Sequence, residues 1–338
     1  MKRLSYIVLS LAIAVAFSCT KQERGNVSVP GGEIRFSPGL DASLISKAET
    51  ENPYDKDDFA VYGWNTGSTS WTSSTSTGEV IFNNEKTVKS SGSYITVNKE
   101  YWGEGKYHFV AYGPYRESSP ASFEGAGSSF KLKFTDYTTT TSVTDLVYSE
   151  FATDKTKGET KGTVALKFHH ALSRIIFTFT VKDENKMNDS GGDEKEITIE
   201  PISISFQNFL TKGSFSFDGT TPSWTGVSEK GNITNSGVVE SESGYDAYVL
   251  PQTLGGDASF SLTYNIVFSS GDSKVTAGPF TKNNVQFSSG TGGTWTELEM
   301  NKQYIVQVMV NAYNSEEIVI GSVTKEDWET ASGTISTK

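Results

Sequence analysis

Past its N-terminal stretch, the chain alternates apolar and polar positions with a period of two. Phe260, Leu262, Tyr264, Ile266 and Phe268 fall on one face of such a segment, opposite Ser261, Thr263, Asn265, Val267 and Ser269. Ile175, Phe177, Phe179 and Val181 share a face, as do Tyr304, Val306, Val308 and Val310. Shorter runs repeat the pattern at Val164/Leu166/Phe168, Tyr107/Phe109/Ala111, Phe130/Leu132/Phe134 and Ile34/Phe36. This spacing predicts half-buried β-strands, and no later segment sustains a helical apolar period. Turn signals separate the runs, among them Gly31-Gly32, Ser91-Gly92, Gly125-Ala126-Gly127, Gly255-Gly256-Asp257 and Gly290-Thr291-Gly292-Gly293. Many short strands with such turns predict an all-β protein built from β-sandwiches. The least apolar part of the middle runs from Thr138 to Thr144 and from Asp154 to Gly162. A domain boundary is expected near Gly162, giving an N-terminal sandwich over 33–162 and a C-terminal one over 163–338. Lys182 to Glu196 is polar and charged, and reads as a mobile hairpin connection.

The first residues follow a different pattern. Lys2 and Arg3 precede an apolar run from Leu4 to Phe17, too short to span a bilayer as a helix. It reads as a secretory signal over 1–18. The run ends in Ala16-Phe17-Ser18-Cys19, which resembles a bacterial lipoprotein signal. That resemblance implies a mature chain that starts at Cys19 and carries lipid there. Residues 19–32 then form a polar, flexible tether.

Composition narrows the function. The chain has 338 residues, which suggests two domains at one per ~100–200 residues. Its 29 Lys+Arg and 40 Asp+Glu give a net charge of −11, which argues against nucleic acid and against a basic membrane-surface patch. Cys19 is the only cysteine, so no disulfide forms within the chain.

Tyr101-Trp102-Gly103-Glu104-Gly105-Lys106-Tyr107-His108-Phe109-Val110-Ala111-Tyr112-Gly113-Pro114 resembles a block of the fimbrillin family that runs Tyr-Trp, a short turn, then Tyr-x-Phe-x-Ala-Tyr-x-Pro. Phe168-His169-His170-Ala171-Leu172-Ser173-Arg174 resembles its Phe-x-His-Ala-Leu-Ser-Lys/Arg strand. Tyr248-Val249-Leu250-Pro251-Gln252, then Asn301-Lys302-Gln303-Tyr304 and Asp327-Trp328, match later blocks in family order.

The resemblance implies a lipoprotein pilin of type V fimbriae, with two transthyretin-like β-sandwich domains in tandem. It implies export to the outer membrane, removal of the first strand by a protease that cuts after a basic residue, and a donor strand from another subunit in the emptied groove. Carried over, Ile34, Phe36 and Leu40 lie in the removable strand, within 33–47. The scissile bond is Lys47-Ala48. Arg24 and Arg35 are other basic sites, with Arg35 inside the strand. Partners are then other fimbrial subunits, the processing protease, the outer membrane through the lipid anchor, and host or bacterial surface ligands.

Catalytic and metal signals are weak. His169 and His170 point to opposite sides of one strand and cannot share a metal there. His108, like them, reads as structural. No Gly-x-Ser-x-Gly elbow, phosphate loop or HExxH motif occurs. The acidic groups Asp55/Asp57/Asp58 and Asp189/Asp193/Glu194/Glu196 lack EF-hand spacing and read as solvated loops. No enzyme activity, metal or cofactor is expected. Trp64, Trp71, Trp224 and Trp295 stand near Gly/Ser/Thr-rich segments. Exposed, they would make a glycan-binding surface lipoprotein the alternative; buried, they would close the ends of the sandwiches.

Overall fold

The computed structural model describes residues 32–39, 58–139, 145–182, 195–235, 239–241, 244–270, 272–287, 296–312 and 318–328. Period-two alternation leads to strands almost throughout. The first half supplies β1 (Arg35–Gly39), β2 (Ala60–Asn65), β3 (Glu79–Ser90), β4 (Ser93–Thr96) and β5 (Tyr107–Gly113). It continues with β6 (Ala121–Glu124), β7 (Lys131–Thr138), β8 (Val147–Ser149), β9 (Ala152–Lys155), a single-turn helix α1 (Lys157–Thr160) and β10 (Thr163–His170). The second half supplies β11 (Ser173–Lys182), β12 (Lys195–Phe217), β13 (Pro222–Asn235), β14 (Val239–Ser241), β15 (Gly244–Val249) and β16 (Gln252–Thr253). It closes with β17 (Ser259–Ser270), β18 (Ser273–Gln286), β19 (Glu297–Leu298), β20 (Lys302–Asn311) and β21 (Ile318–Asp327).

The sheet of the first half closes on itself. Strands run in the order β2-β3-β4-β1-β10-β8-β5, and β5 pairs back onto β2. The inward residues fill this ring with rings and branched chains, among them Phe36, Phe82, Trp102, Phe109, Val164 and Phe168. A second layer lies over one side of the ring. It is made of β6, β7 and the later part of β12, with Phe134 and Phe215 against Tyr62, Tyr112 and Tyr148. This layer explains why every residue of β5 is buried. Tyr107, Phe109 and Ala111 face into the ring, while Val110 and Tyr112 face the covering sheet.

The second half is a sandwich. The sheet β14-β15-β11-β20-β21 packs on β18-β17-β12. Between them sit Phe177, Phe206, Phe260, Tyr264, Tyr304 and Val306. β12 ties the halves together: Lys195 to Gln207 pairs with β17, and Lys212 to Phe217 pairs with β7.

The all-β expectation agrees with the structure. The first half differs from an open sandwich because the β2–β5 pairing closes its sheet, and alternation along a strand carries no information on which strand lies beside it. The strand after Gly162, β10, pairs in parallel with β1 in this ring. Sheet pairing therefore crosses the expected boundary near Gly162, and the change of sheet falls at Ala171-Leu172, between β10 and β11. Gly162 is a local turn after α1, and a turn signal does not distinguish a hairpin from a change of sheet. The 182–196 connection is likewise no hairpin. It links β11 and β12, which belong to different sheets.

Candidate functional site

β1 lies between β4 and β10, antiparallel to the first and parallel to the second. The register sets Phe36 beside Tyr94 on one side and Val164 on the other. Ile34 and Phe36 are fully buried inside the ring, as their alternation predicts. The Phe36 ring meets Phe82 and Phe109 edge-on, with centroids 5.9 and 5.4 Å away. Such pairs add ~0.5–1.5 kcal/mol each beyond the burial itself.

The start of β1 is fixed by its neighbours' backbones. Ile34 N donates to Glu100 O at 2.9 Å, and Trp102 N donates to Gly32 O at 3.1 Å. Gly162, at φ +89°, presents its carbonyl to Arg35 N at 3.2 Å. Trp102 Nε1 donates to the same carbonyl at 3.2 Å. The Tyr-Trp block thus builds one wall of the position that β1 fills. Arg35 points outward and pairs with Glu33 at 3.2 Å, and Lys99 pairs with Glu33 at 3.1 Å. Arg35 and Lys99 stand largely in solvent although Glu33 is mostly enclosed, so water screens both pairs, and the ladder and the rings hold this strand. Taking β1 away would open the ring between β4 and β10. It would leave two unpaired strand edges and a slot with two apolar recesses, two residues apart. Leu40, Lys47, Ala48 and Cys19 lie outside the described residues.

A second constellation sits where the ring meets the sandwich. His170 Nδ1 lies 2.6 Å from Asp145 Oδ2, and the imidazole stacks on Trp328 at 3.7 Å with the planes 5° apart. Tyr248 stacks near the same indole at 5.6 Å, and the Arg174 guanidinium lies over it at 5.9 Å. Arg174 Nη2 donates to Asp246, and Nη1 donates to Gln303 Oε1 at 3.4 Å. Burial, with Asp246 and Asp145 nearby, pushes the Tyr248 phenol up. Gln252 ties the junction to β12, accepting from Leu210 N at 2.7 Å and donating to Leu210 O at 3.2 Å. Asn301 N donates to Leu172 O at 3.0 Å. The sequence blocks around 168–175, 248–252, 301–304 and 327–328 therefore converge here. Sequence reading found each block but not their meeting, because they lie far apart along the chain.

The histidines behave structurally. His108 Nδ1 accepts from Asp154 N at 3.0 Å, so Nε2 carries the proton and donates to Thr66 Oγ1 at 2.7 Å. Thr66 in turn donates to Thr69 O at 2.6 Å. A Thr–His–Asp sequence of contacts is present, but it runs the wrong way for a nucleophile, because the imidazole has no free lone pair to take the hydroxyl proton. Burial lowers the His108 pKa from 6.5 to about 4. The unfolded chain therefore binds this proton more readily, and the stability due to neutral His108 is lost as the pH falls from 6.5 towards 4. The loss reaches at most about 3 kcal/mol. Thermal melts are expected to show a falling midpoint across that interval, with a smaller fall in His108→Gln. An equal slope in both would contradict this.

His169 Nε2 lies 3.0 Å from Glu150 Oε1. Burial of Glu150 opposes ionisation, but Lys167 and His169 outweigh it and hold the carboxyl below its usual range. Asp58 pairs with Lys86 at 2.8 Å. Among the described residues no group of three or more His, Cys, Asp or Glu is placed to hold a metal, and no helix is long and apolar enough to cross a membrane. Asp55, Asp57, Asp189, Asp193, Glu194 and Trp295 fall outside those residues. Trp64 and Trp71 are buried under the covering sheet, and Trp224 Nε1 donates to Ala171 O at 2.6 Å. These three close the packing and offer no stacking platform.

A family model described as fimbrillin-like matches residues 46–328. No curated protein matches the sequence. Among solved structures, the chain is similar to a fimbrial protein from Bacteroides vulgatus, at 17% identity over 88% of this chain and 99% of that one, with a TM-score of 0.49. It is similar to a candidate cell adhesion protein from Bacteroides uniformis, at 15% identity over 88% and 99%, with a TM-score of 0.50. It is also similar to a C-terminally truncated tip fimbrial protein from Porphyromonas gingivalis, at 11% identity over 88% and 100%, with a TM-score of 0.37.

Proposed function

The chain belongs to the fimbrillin-like family, and from that premise we propose that it is a structural, adhesive subunit of a fimbrium, with no catalysis of its own. β1 is its removable plug. The chain reaches the outer membrane as a lipoprotein held at Cys19. A protease cuts at Lys47-Ala48 and takes β1 away. A strand from another subunit then enters beside β4 and β10. In this reading the ring with its covering sheet, and the second sandwich, are the two transthyretin-like units of the family, on either side of a division in the 162–172 region.

The single observation that supports this most is the place of β1. It is one stave of a closed ring, held on both sides by backbone ladders and by two inward side chains. Its loss exposes a slot that any strand with the same alternation can refill, which is the physics of strand addition. Arg35 has its backbone paired on both sides, so a protease has poor access to it in the folded chain, whereas Lys47 follows the strand.

The test is trimming by a trypsin-like protease. Loss of residues through Lys47 is expected to convert the monomer into high-mass, SDS-resistant oligomers. A trimmed chain that stays monomeric would sink the proposal.

A further inference from the structure

A cleft of about 320 Å³ opens where the ring meets the β12–β13 turn and the turn before β20. It is lined by Tyr148, Glu150, His169, Thr220, Pro222 and Asn301, with Phe217, Gly219 and Met300 completing the wall. Its polar groups come from three separate parts of the fold. Glu150 and His169 stand at the ends of β8 and β10, Thr220 lies in the β12–β13 turn, and Asn301 precedes β20.

Asn301 is the unusual member. Its backbone is fixed on both sides, N–H to Leu172 O at 3.0 Å and carbonyl to Trp328 N at 3.3 Å. It adopts φ +59°, a conformation that asparagine tolerates better than most residues. Its Oδ1 is buried yet has no hydrogen-bond partner among the described residues. A buried acceptor left unmade costs ~1–3 kcal/mol. That oxygen has almost no surface open to water, so a donor from the cleft reaches it only when the Asn301 side chain turns towards the opening.

The charges select the kind of donor. Glu150 is negative, but Lys167 lies 2.9 Å from it and His169 3.0 Å. The rim is thus close to neutral, which disfavours a free cation and a free anion alike. It offers acceptors in Glu150 and Asn301, and a hydroxyl in Thr220 that gives and accepts. The remaining wall is apolar, from Pro222, Met300 and the edges of Tyr148 and Phe217. A neutral body with several hydroxyls and one apolar face fits this lining. The volume is at the small end for ligand sites, so it suits one ring and not a chain of them.

We propose that this cleft binds a single neutral pyranose, such as a terminal or branch sugar of a surface glycan. Hydroxyls of the sugar donate to Asn301 Oδ1 and Glu150, and its C–H face lies on Pro222 and Met300. The site is separate from the β1 slot, so its failure would leave the pilin reading standing.

The test uses the full chain and ligand-observed NMR with methyl pyranosides of glucose, galactose, mannose and N-acetylglucosamine. At least one should bind, with a dissociation constant near the millimolar range. Asn301→Gly keeps the backbone conformation and removes the acceptor, and Glu150→Gln keeps the shape and removes the charge. Each should weaken binding about tenfold, and Met300→Trp, which fills the cleft, should abolish it. Thermal melts of each variant separate loss of the site from loss of the fold. Absence of binding by all four sugars, or binding unchanged in the folded Asn301→Gly and Glu150→Gln chains, would overturn the proposal.

Discussion

Phe36→Asp is expected to unseat β1. The side chain is fully buried against Phe82 and Phe109. Truncating such a phenylalanine costs about 3–5 kcal/mol through lost transfer and an unfilled cavity. An aspartate adds a charge with no partner in an apolar recess, which costs more again. At ~2–4 °C per kcal/mol for a chain of this size class, the thermal midpoint should fall by about 10 °C. β1 is short and lies at the start of the described chain, so part of this loss should appear as local opening. Proteolysis before the ring should then speed up by at least about tenfold, and the uncut chain should begin to associate. Phe36→Leu keeps most of the volume and should stay close to the parent. Unchanged proteolysis and unchanged melting in Phe36→Asp would mean that β1 does not hold the ring closed.

Asp246→Ala is expected to have an effect of similar size at the junction of the ring and the sandwich. Asp246 and Arg174 form a nearly enclosed ion pair beside the Trp328 indole, with side-chain exposures of 4% and 15%. Removing one partner strands the other charge, which costs about 3–5 kcal/mol. The guanidinium keeps the long contact to Gln303 and its place over the Trp328 indole, neither of which neutralises its charge. A calorimetric or dichroism melt should register a fall of about 10 °C. The double replacement Arg174→Met/Asp246→Leu removes both charges together and should recover most of the loss, because the pair itself adds little net stability over apolar packing. A single variant within about 0.5 kcal/mol of the parent would place this pair in solvent instead of at the junction.

How much of this was legible beforehand depends on the strand. β17 and β20 could be read directly: Phe260, Leu262, Tyr264 and Ile266, and Tyr304, Val306, Val308 and Val310, are buried as their spacing predicts. The buried pair Ile34 and Phe36 was equally clear. β18 and β13 were not, because both are exposed over most of their length and carry few apolar residues to mark a face. In β5 the alternation is present but hides the fact that both faces are covered. The parallel pairings β1–β10 and β11–β20 join segments over a hundred residues apart, and no local signal carries them. The tryptophans show the same limit. Neighbouring Gly, Ser and Thr left both exposure and burial open for Trp64 and Trp71, because the sheet that buries them comes from distant residues. At the candidate site, the Tyr-Trp block was recognisable only by resemblance. Its physical role, Trp102 bonded to Gly162 beside Arg35, needed the fold.

The central claim is that β1 fills a slot another strand can take. Amide hydrogen exchange along β4 and β10, followed through trimming after Lys47, tests it most directly. Protection at Tyr94 to Thr96 and Thr163 to Lys167 is predicted to fall when β1 is removed and to return when the trimmed chains assemble. Oligomers in which those amides stay open, or a trimmed monomer in which they never open, would contradict the account.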